Sequence, residues 1–294
     1  MSEPDLGGPW SADDSIAAGG PGWWSGNSRL LVSAVHPGVV RKSARPHAAH
    51  LTTPGAEVAL RRAAADAGLG PWVTEVDEGL EMPDLRASGY RVATYARMAV
   101  PLRVESMVDA FRQIGDLDVD LPVLDVLADL ARLRGVLATL PVVPPAETEP
   151  LERVVVELRA LLADGPPPVP SFADVTTGNV MVDAAGRLQL VGGTFAAAVD
   201  PLFTAGCLIA ELCPHLAEPE DVFTWFWGSF DRSAYARAQL YAIADDLRWA
   251  YVSRIATACK DDKGFVPELY GVHRTRRGLW ALKDASFRDW KAAA

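Results

Sequence analysis

Asp174 and Asn179 stand five residues apart in SFADVTTGNVMVDAAGRLQLVGG, residues 171–193. An aspartate in a loop just ahead of a hairpin can orient an attacking hydroxyl or accept its proton. An asparagine five residues on can reach a metal ion bound to a phosphate in transfer. The same pair also fits a purely structural role, with the aspartate opening a turn, the asparagine capping the hairpin, and Thr176 and Thr177 filling the loop. At the hairpin's far end, where a second carboxylate would complete a metal site, the chain reads Gly192-Gly193.

Other residues could serve the phosphate end of the same chemistry. In GWWSGNSRLL a glycine-rich turn runs into a strand, so the backbone around Gly26, Asn27 and Ser28 could cradle a phosphate, although any tight hairpin also uses glycine. The strand VVRK supplies Arg41 and Lys42, and the helix after it supplies Glu57. A basic strand residue paired with a helix carboxylate is one way of gripping nucleotide phosphates, and two unrelated surface charges are the alternative. Towards the C-terminus, Trp225, Trp227, Trp249, Tyr251 and Trp280 could enclose a cation, or they could fill a helical core. Asp245 and Asp246 precede Trp249 and could meet a cationic substrate, or lie on a solvated face. The histidines at 36, 47, 50, 215 and 273 show no metal-ligand spacing.

These residues need elements to hold them. Residues 1–21 are rich in Gly, Pro, Ser and Asp and read as a loose arm. GWWSGNSRLLVSAVHPGVVRKSA reads as two strands about the turn His36-Pro37-Gly38. PGAEVALRRAAADAGLGP reads as a helix of strong helix formers, stopped by Gly68 and Gly70-Pro71. GYRVATYARM alternates like a strand. Three helical stretches follow, and the proline-stiffened GPPPVP leads into the loop of Asp174. NVMVDAAGRLQLVGG reads as a hairpin turning at Asp183–Gly186, with Asp183 pointing away from any cleft. Asp200 caps the next helix, and the remainder is helical. In HRTRRG the arginines Arg274, Arg276 and Arg277 read as a solvated face. The expected division is an arm (1–21), a small β-rich lobe (22–98) and a larger helical lobe (99–294) carrying segment 171–193.

The chain has 294 residues, enough for two lobes around a cleft; 49% are hydrophobic and 22% charged. Its net charge of −10 argues against nucleic acid or an anionic membrane as partner. Three cysteines, none in a CxxC pair, suit free thiols in a reducing cytoplasm. The acidic N-terminus lacks the apolar stretch of a signal peptide, and no apolar run approaches membrane-spanning length.

Taken in order, these segments resemble the aminoglycoside phosphotransferase and choline kinase superfamily of protein-kinase-like enzymes, from about residue 20 to residue 285. SGNSRLL looks like the nucleotide loop and VVRK like the strand of the phosphate-binding cation. AEVALRRAAADAGLGP looks like the helix of its ion-pair partner, Glu57, and VATYARM like the strand entering the interlobe linker. DVTTGNVMVD matches the pattern HGDxxxxNxxxD from its Asp onward, and AAVDPLFTAGCLIAEL resembles the stretch GDPxxDLA. The resemblance implies a bilobal α+β fold, with a small β-rich N-lobe and a mainly helical C-lobe. It also implies ATP or GTP with Mg²⁺ as cofactor, Asp174 as the acceptor-side carboxylate and Asn179 as a metal ligand. Two departures stand out. The loop's His-Gly pair is Phe172-Ala173, and the metal-binding aspartate falls on Gly192. That carboxylate normally holds Mg²⁺ against the nucleotide phosphates.

Three readings follow. The first is a phosphotransferase with a degenerate site, acting on a hydroxyl of a small molecule or natural-product peptide. The second is a catalytically dead pseudokinase, with no cofactor required, that binds a peptide or a partner biosynthetic enzyme in the cleft. The third is a nucleotide-independent enzyme with Asp174 as general base. Position 192 separates the first two: a carboxylate reaching the cleft from elsewhere favours catalysis, and a blocked metal site favours binding.

Overall fold

The computed structural model describes residues 10–12, 27–53, 55–77, 79–142, 146–213, 215–259 and 267–294. The N-terminal part is an antiparallel sheet of strands β1 (Trp10–Ala12), β2 (Ser28–Ser33), β3 (Val39–Ala44), β4 (Thr74–Val76) and β5 (Gly79–Pro83), in the order β1-β2-β3-β5-β4. Helix α1 (Ala56–Asp66) connects β3 to β4. Its buried positions Ala56, Leu60 and Ala64 recur every four residues, which places one stripe against the core. Within the segment expected to be a loose arm, Trp10–Ala12 instead pair with β2 in register Trp10↔Ser33. Trp10 is buried, and the Arg41 guanidinium lies 4.2 Å above its ring.

The chain leaves the sheet through Asp84, which caps the 3-10 turn Leu85–Ser88. It then forms β6 (Arg91–Val92), α2 (Tyr95–Met98), α3 (Pro101–Gly115), α4 (Val126–Ala138) and α5 (Glu149–Leu161). The strand expected over GYRVATYARM therefore ends after two residues. The Thr94 side chain accepts a hydrogen bond from the Arg97 N–H, and that cap starts a helical turn where alternation alone reads as strand. The exit from the sheet likewise lies at Asp84–Arg86, ahead of VATYARM.

After β7 (Val169–Ser171), strands β8 (Val180–Val182) and β9 (Leu188–Leu190) form the expected hairpin, joined on its other edge by β6. Strand β10 (Ala197–Val199) pairs with β7. Helices α6 (Pro201–Leu212), α7 (Pro219–Trp227), α8 (Arg232–Cys259), α9 (Pro267–Lys283) and α10 (Phe287–Ala293) complete the fold. Asp200 caps α6 as expected, its Oδ1 accepting from Leu202 N–H at 2.8 Å. The architecture is thus α+β, a small antiparallel sheet followed by a larger helical part.

One large apolar cluster joins α3 to α8 and takes in Leu60 and Ala64 of α1. A separate small cluster, Val40, Val73 and Met82 with Leu30 and Val32, lies under the N-terminal sheet. Helices α6 and α8 approach closely at Gly206, where a Cβ would come within 2.2 Å of the Ala238 carbonyl oxygen. Among the described residues no helix is long and apolar enough to cross a membrane.

Candidate active site

Strand alternation decides which of the two basic residues enters the cleft. Arg41 and Lys42 are neighbours on β3, so their side chains leave opposite faces. Arg41 crosses to its register partner Glu81 on the outer face, with Nη2 2.7 Å from Oε1. Lys42 shares the inner face with Val40 and reaches Glu57 in the first turn of α1. The strand-to-helix ion pair is therefore Lys42–Glu57. The Lys42 ammonium also donates to Thr194 Oγ1 at 2.7 Å, linking the sheet to the segment after the hairpin. Burial lowers the Lys42 pKa, against the opposing pull of Glu57. Behind the pair, Arg61 is fully buried, with Nη1 3.7 Å from Glu57 and Nη2 3.2 Å from the Met82 sulfur.

A cavity of ≈ 120 Å³ separates the sheet from the hairpin. Leu30, Val40 and Met82 form its roof, Met181 and Val191 its floor, and Pro83–Arg86 close one end. Lys42, Asp174, Asn179 and Thr194 lie among the polar lining, as do Asn27 and Ser28. Gly26 lies outside the described residues.

The loop carrying Asp174 is held from beneath. Ala173 has φ +48°, a left-handed conformation that a Cβ disfavours by roughly 1–2 kcal/mol. Two bonds fix it: its N–H donates to Ser171 Oγ at 3.0 Å, and its carbonyl accepts from Arg248 Nη1 at 3.2 Å. Arg248 is itself buried and bonded to Asp129 at 2.9 Å. Thr177 donates both its backbone N–H and its hydroxyl to Glu211, at 2.7 and 2.8 Å, so it anchors the loop where the sequence suggested filler. Phe172, where the pattern of the resemblance has histidine, is 1% exposed and packs edge-on against Phe111. Asn179 Nδ2 donates to the Asp174 carbonyl at 2.9 Å. The Asp174 carboxylate keeps one enclosed oxygen, Oδ1, without a hydrogen-bond partner. Burial raises its pKa, with Asp245 adding to the effect and the Asn179 contact opposing it.

Position 192 has no room for a side chain. A Cβ there would stand 2.8 Å from Asn179 Cγ and 2.9 Å from its Cβ. As it stands, the Asn179 side chain occupies the space that a Cβ at position 192 would need. Among the described residues no other acid replaces the metal-binding carboxylate: Glu57 is engaged by Lys42, and Asp84 at the far end by Arg86. Among the described residues no group of three His, Cys, Asp or Glu could hold a metal ion. The residues present do not fit Mg²⁺ in the arrangement the resemblance implies. Asp183 pairs with Arg187 at the hairpin turn and does not line the cavity.

Asp245 and Trp249, read as contacts for a cationic substrate, are both buried on α8 and face a cation of the chain itself. Arg274 of α9 binds Asp245 and Asp246, and its guanidinium lies 5.7 Å from the Trp249 ring and 5.6 Å from that of Tyr270. Arg277 adds a second bond to Asp246 at 2.6 Å. Of the arginines expected on a solvated face, only Arg276 is exposed. Their carboxylate partners lie about thirty residues upstream, a separation that local charge patterning does not reveal. Trp280 is exposed, whereas Tyr251 is buried with its hydroxyl on Glu152. Sequence reasoning also missed Thr194, Arg61, Arg248 and Glu211. Glu211 and Arg248 sit in helices that read as ordinary core, and Thr194 and Arg61 become relevant only once α1 is docked.

No family model matches the sequence, and no curated protein resembles it at the sequence level. Solved structures do resemble the fold. A choline/ethanolamine kinase family protein from Mesorhizobium loti superposes with a TM-score of 0.73 at 18% identity, over 99% of this chain and 93% of its own. The choline kinase LicA from Streptococcus pneumoniae gives 0.70 at 16%, over 87% and 89%, and LicA is also solved with AMP. A GDP complex of an aminoglycoside 2'-phosphotransferase-IIIa mutant gives 0.60 at 11%, over 96% and 95%. The chain has the kinase-like fold these proteins share.

Proposed function

We propose that this chain is a pseudokinase-like binding module that holds a nucleotide in the cleft between its sheet and its hairpin. Three features support the nucleotide: an apolar slot closed at one end by Pro83–Arg86, the Lys42–Glu57 pair at the other, and nucleotide complexes of two proteins of the same fold. One observation carries the choice of binding over transfer. The position of the metal carboxylate is Gly192, and Asn179 occupies the space beside it. Transfer of a phosphoryl group relies almost wholly on positioning and on neutralising charge, chiefly by metal ions. A cleft with that ligand position filled retains the positioning and lacks the neutralisation. The occupied nucleotide cleft would then serve a peptide or a partner biosynthetic enzyme in the cytoplasm, a compartment that suits three cysteines with no CxxC pair among them.

A second reading has its own support. Asp174 lines the cavity and its pKa is raised by burial, which suits a carboxyl group that takes the proton of an acceptor hydroxyl on a small molecule or natural-product peptide. The two readings separate on one comparison. Phosphorylated product is sought by mass spectrometry with candidate acceptors and nucleotide, for the natural chain and for Asp174→Asn, beside calorimetric nucleotide binding by both. The binding module gives no product from either, and both still bind nucleotide. Product from the natural chain that falls about a hundredfold or more in Asp174→Asn establishes the transferase instead.

A further inference from the structure

The number of phosphates the cleft can take is written in the charges at its inner end. Lys42 reaches the cavity already bound to Glu57 and Thr194. Arg61 lies buried behind Glu57, and Asp174 is among the residues lining the same space. These two cations and two carboxylates sum to no net positive charge where a polyphosphate chain would lie. A divalent ion ordinarily supplies that charge, and its ligand position is Gly192, closed by Asn179. The base end is different in kind, since Leu30, Val40 and Met82 face Met181 and Val191 across an apolar slot.

Resting on the nucleotide reading above, we infer that the cleft selects a nucleoside or nucleoside monophosphate over a metal–nucleoside triphosphate. The apolar slot takes the base by burial of its faces. One phosphate can share the Lys42 ammonium with Glu57. Each further phosphate brings like charge towards Glu57 and Asp174 in a partly buried site, with no metal ligand to offset it.

Calorimetric titration of the full chain with adenosine, AMP and ATP tests this, each with excess Mg²⁺ and again with EDTA, beside the matching guanosine series. Adenosine or AMP binds, ATP binds at least about tenfold more weakly, and Mg²⁺ changes the ATP affinity by less than about twofold. ATP bound as tightly as AMP, or an ATP affinity that Mg²⁺ raises about tenfold, overturns the selectivity and leaves the nucleotide reading standing. If no member of either series binds, the nucleotide reading itself falls and takes the selectivity with it.

Discussion

At the scale of single residues, Gly192 and Asp174 make opposite demands. Gly192 is not in a left-handed conformation, so what limits it is space. Gly192→Ala places one carbon against the Asn179 side chain and is expected to cost about 1–3 kcal/mol by overpacking. Gly192→Asp carries the same steric cost, so it brings no Mg²⁺-dependent rise in stability or nucleotide binding. Chemical denaturation of both variants with and without Mg²⁺ measures this, and a metal-stabilised Gly192→Asp chain shows that Asn179 can yield. Asp174 bears a different strain, a buried carboxylate with one unpartnered oxygen. Its folded pKa is raised above the ordinary value near 3.9, so the native state disfavours its ionised form. The contribution of the protonated form is complete below that value and is lost as pH rises through the folded pKa. Asp174→Asn should therefore stabilise the chain at neutral pH by about 1–3 kcal/mol. The gain should shrink as pH falls towards about 4. A gain that persists unchanged at acid pH removes the charge from the explanation.

At the scale of elements, α8 and α9 are joined by buried charge as much as by apolar contact. Arg274 is 4% exposed, and it bridges Asp245 and Asp246. Arg274→Met removes that cation from between two buried carboxylates and should cost about 3–5 kcal/mol. Arg274→Lys keeps the charge but loses the planar fork that serves both acids, so it should recover only part of the loss. Urea denaturation reads both, and a loss below about 1 kcal/mol for Arg274→Met would mean that the cluster is solvated in the native chain. The same cluster marks where the sequence stops being legible. Helix α1, the β8–β9 hairpin and the Asp200 cap could be read because their signals are local: helix formers ended by Gly68, alternation about a turn, and a capping side chain ahead of proline. That Glu57 pairs with Arg41 or Lys42 could be read because strand and helix follow one another, and the side of β3 each faces then selects Lys42. The Arg274 cluster, the Glu211 anchor of Thr177 and the pairing of Trp10–Ala12 with β2 depend on partners distant in sequence. The turn at Thr94 had a local signal, but an alternating run of apolar residues concealed it.

At the scale of the whole molecule, the two apolar clusters are very unequal. The large one unites α3 to α8 and captures α1 through Leu60 and Ala64, while the sheet keeps Val40, Val73 and Met82 with Leu30 and Val32. Helix α1 is also tied to the hairpin, where Leu190 N–H donates to the Leu69 carbonyl at 2.8 Å. The sheet should therefore open as a unit of lower free energy than the helices, with α1 on the helical side of the division. Three of its cluster residues, Leu30, Val40 and Met82, also form the roof of the cavity. A ligand in the slot enlarges the smaller cluster and leaves the larger one unchanged, so its binding energy should appear chiefly as protection of the sheet. Native-state hydrogen exchange tests both statements. Amides of β2, β3 and β5 should exchange through smaller openings than those of α6 and α8, and saturating AMP or adenosine should slow the strands selectively. About 2.7 kcal/mol of protection is the ceiling at a ligand concentration a hundredfold above Kd. Equal exchange in β3 and α8 without ligand would show that Lys42–Thr194 and Leu69–Leu190 bind the two parts into one cooperative unit. Protection spread evenly over the chain would show the same of the liganded state.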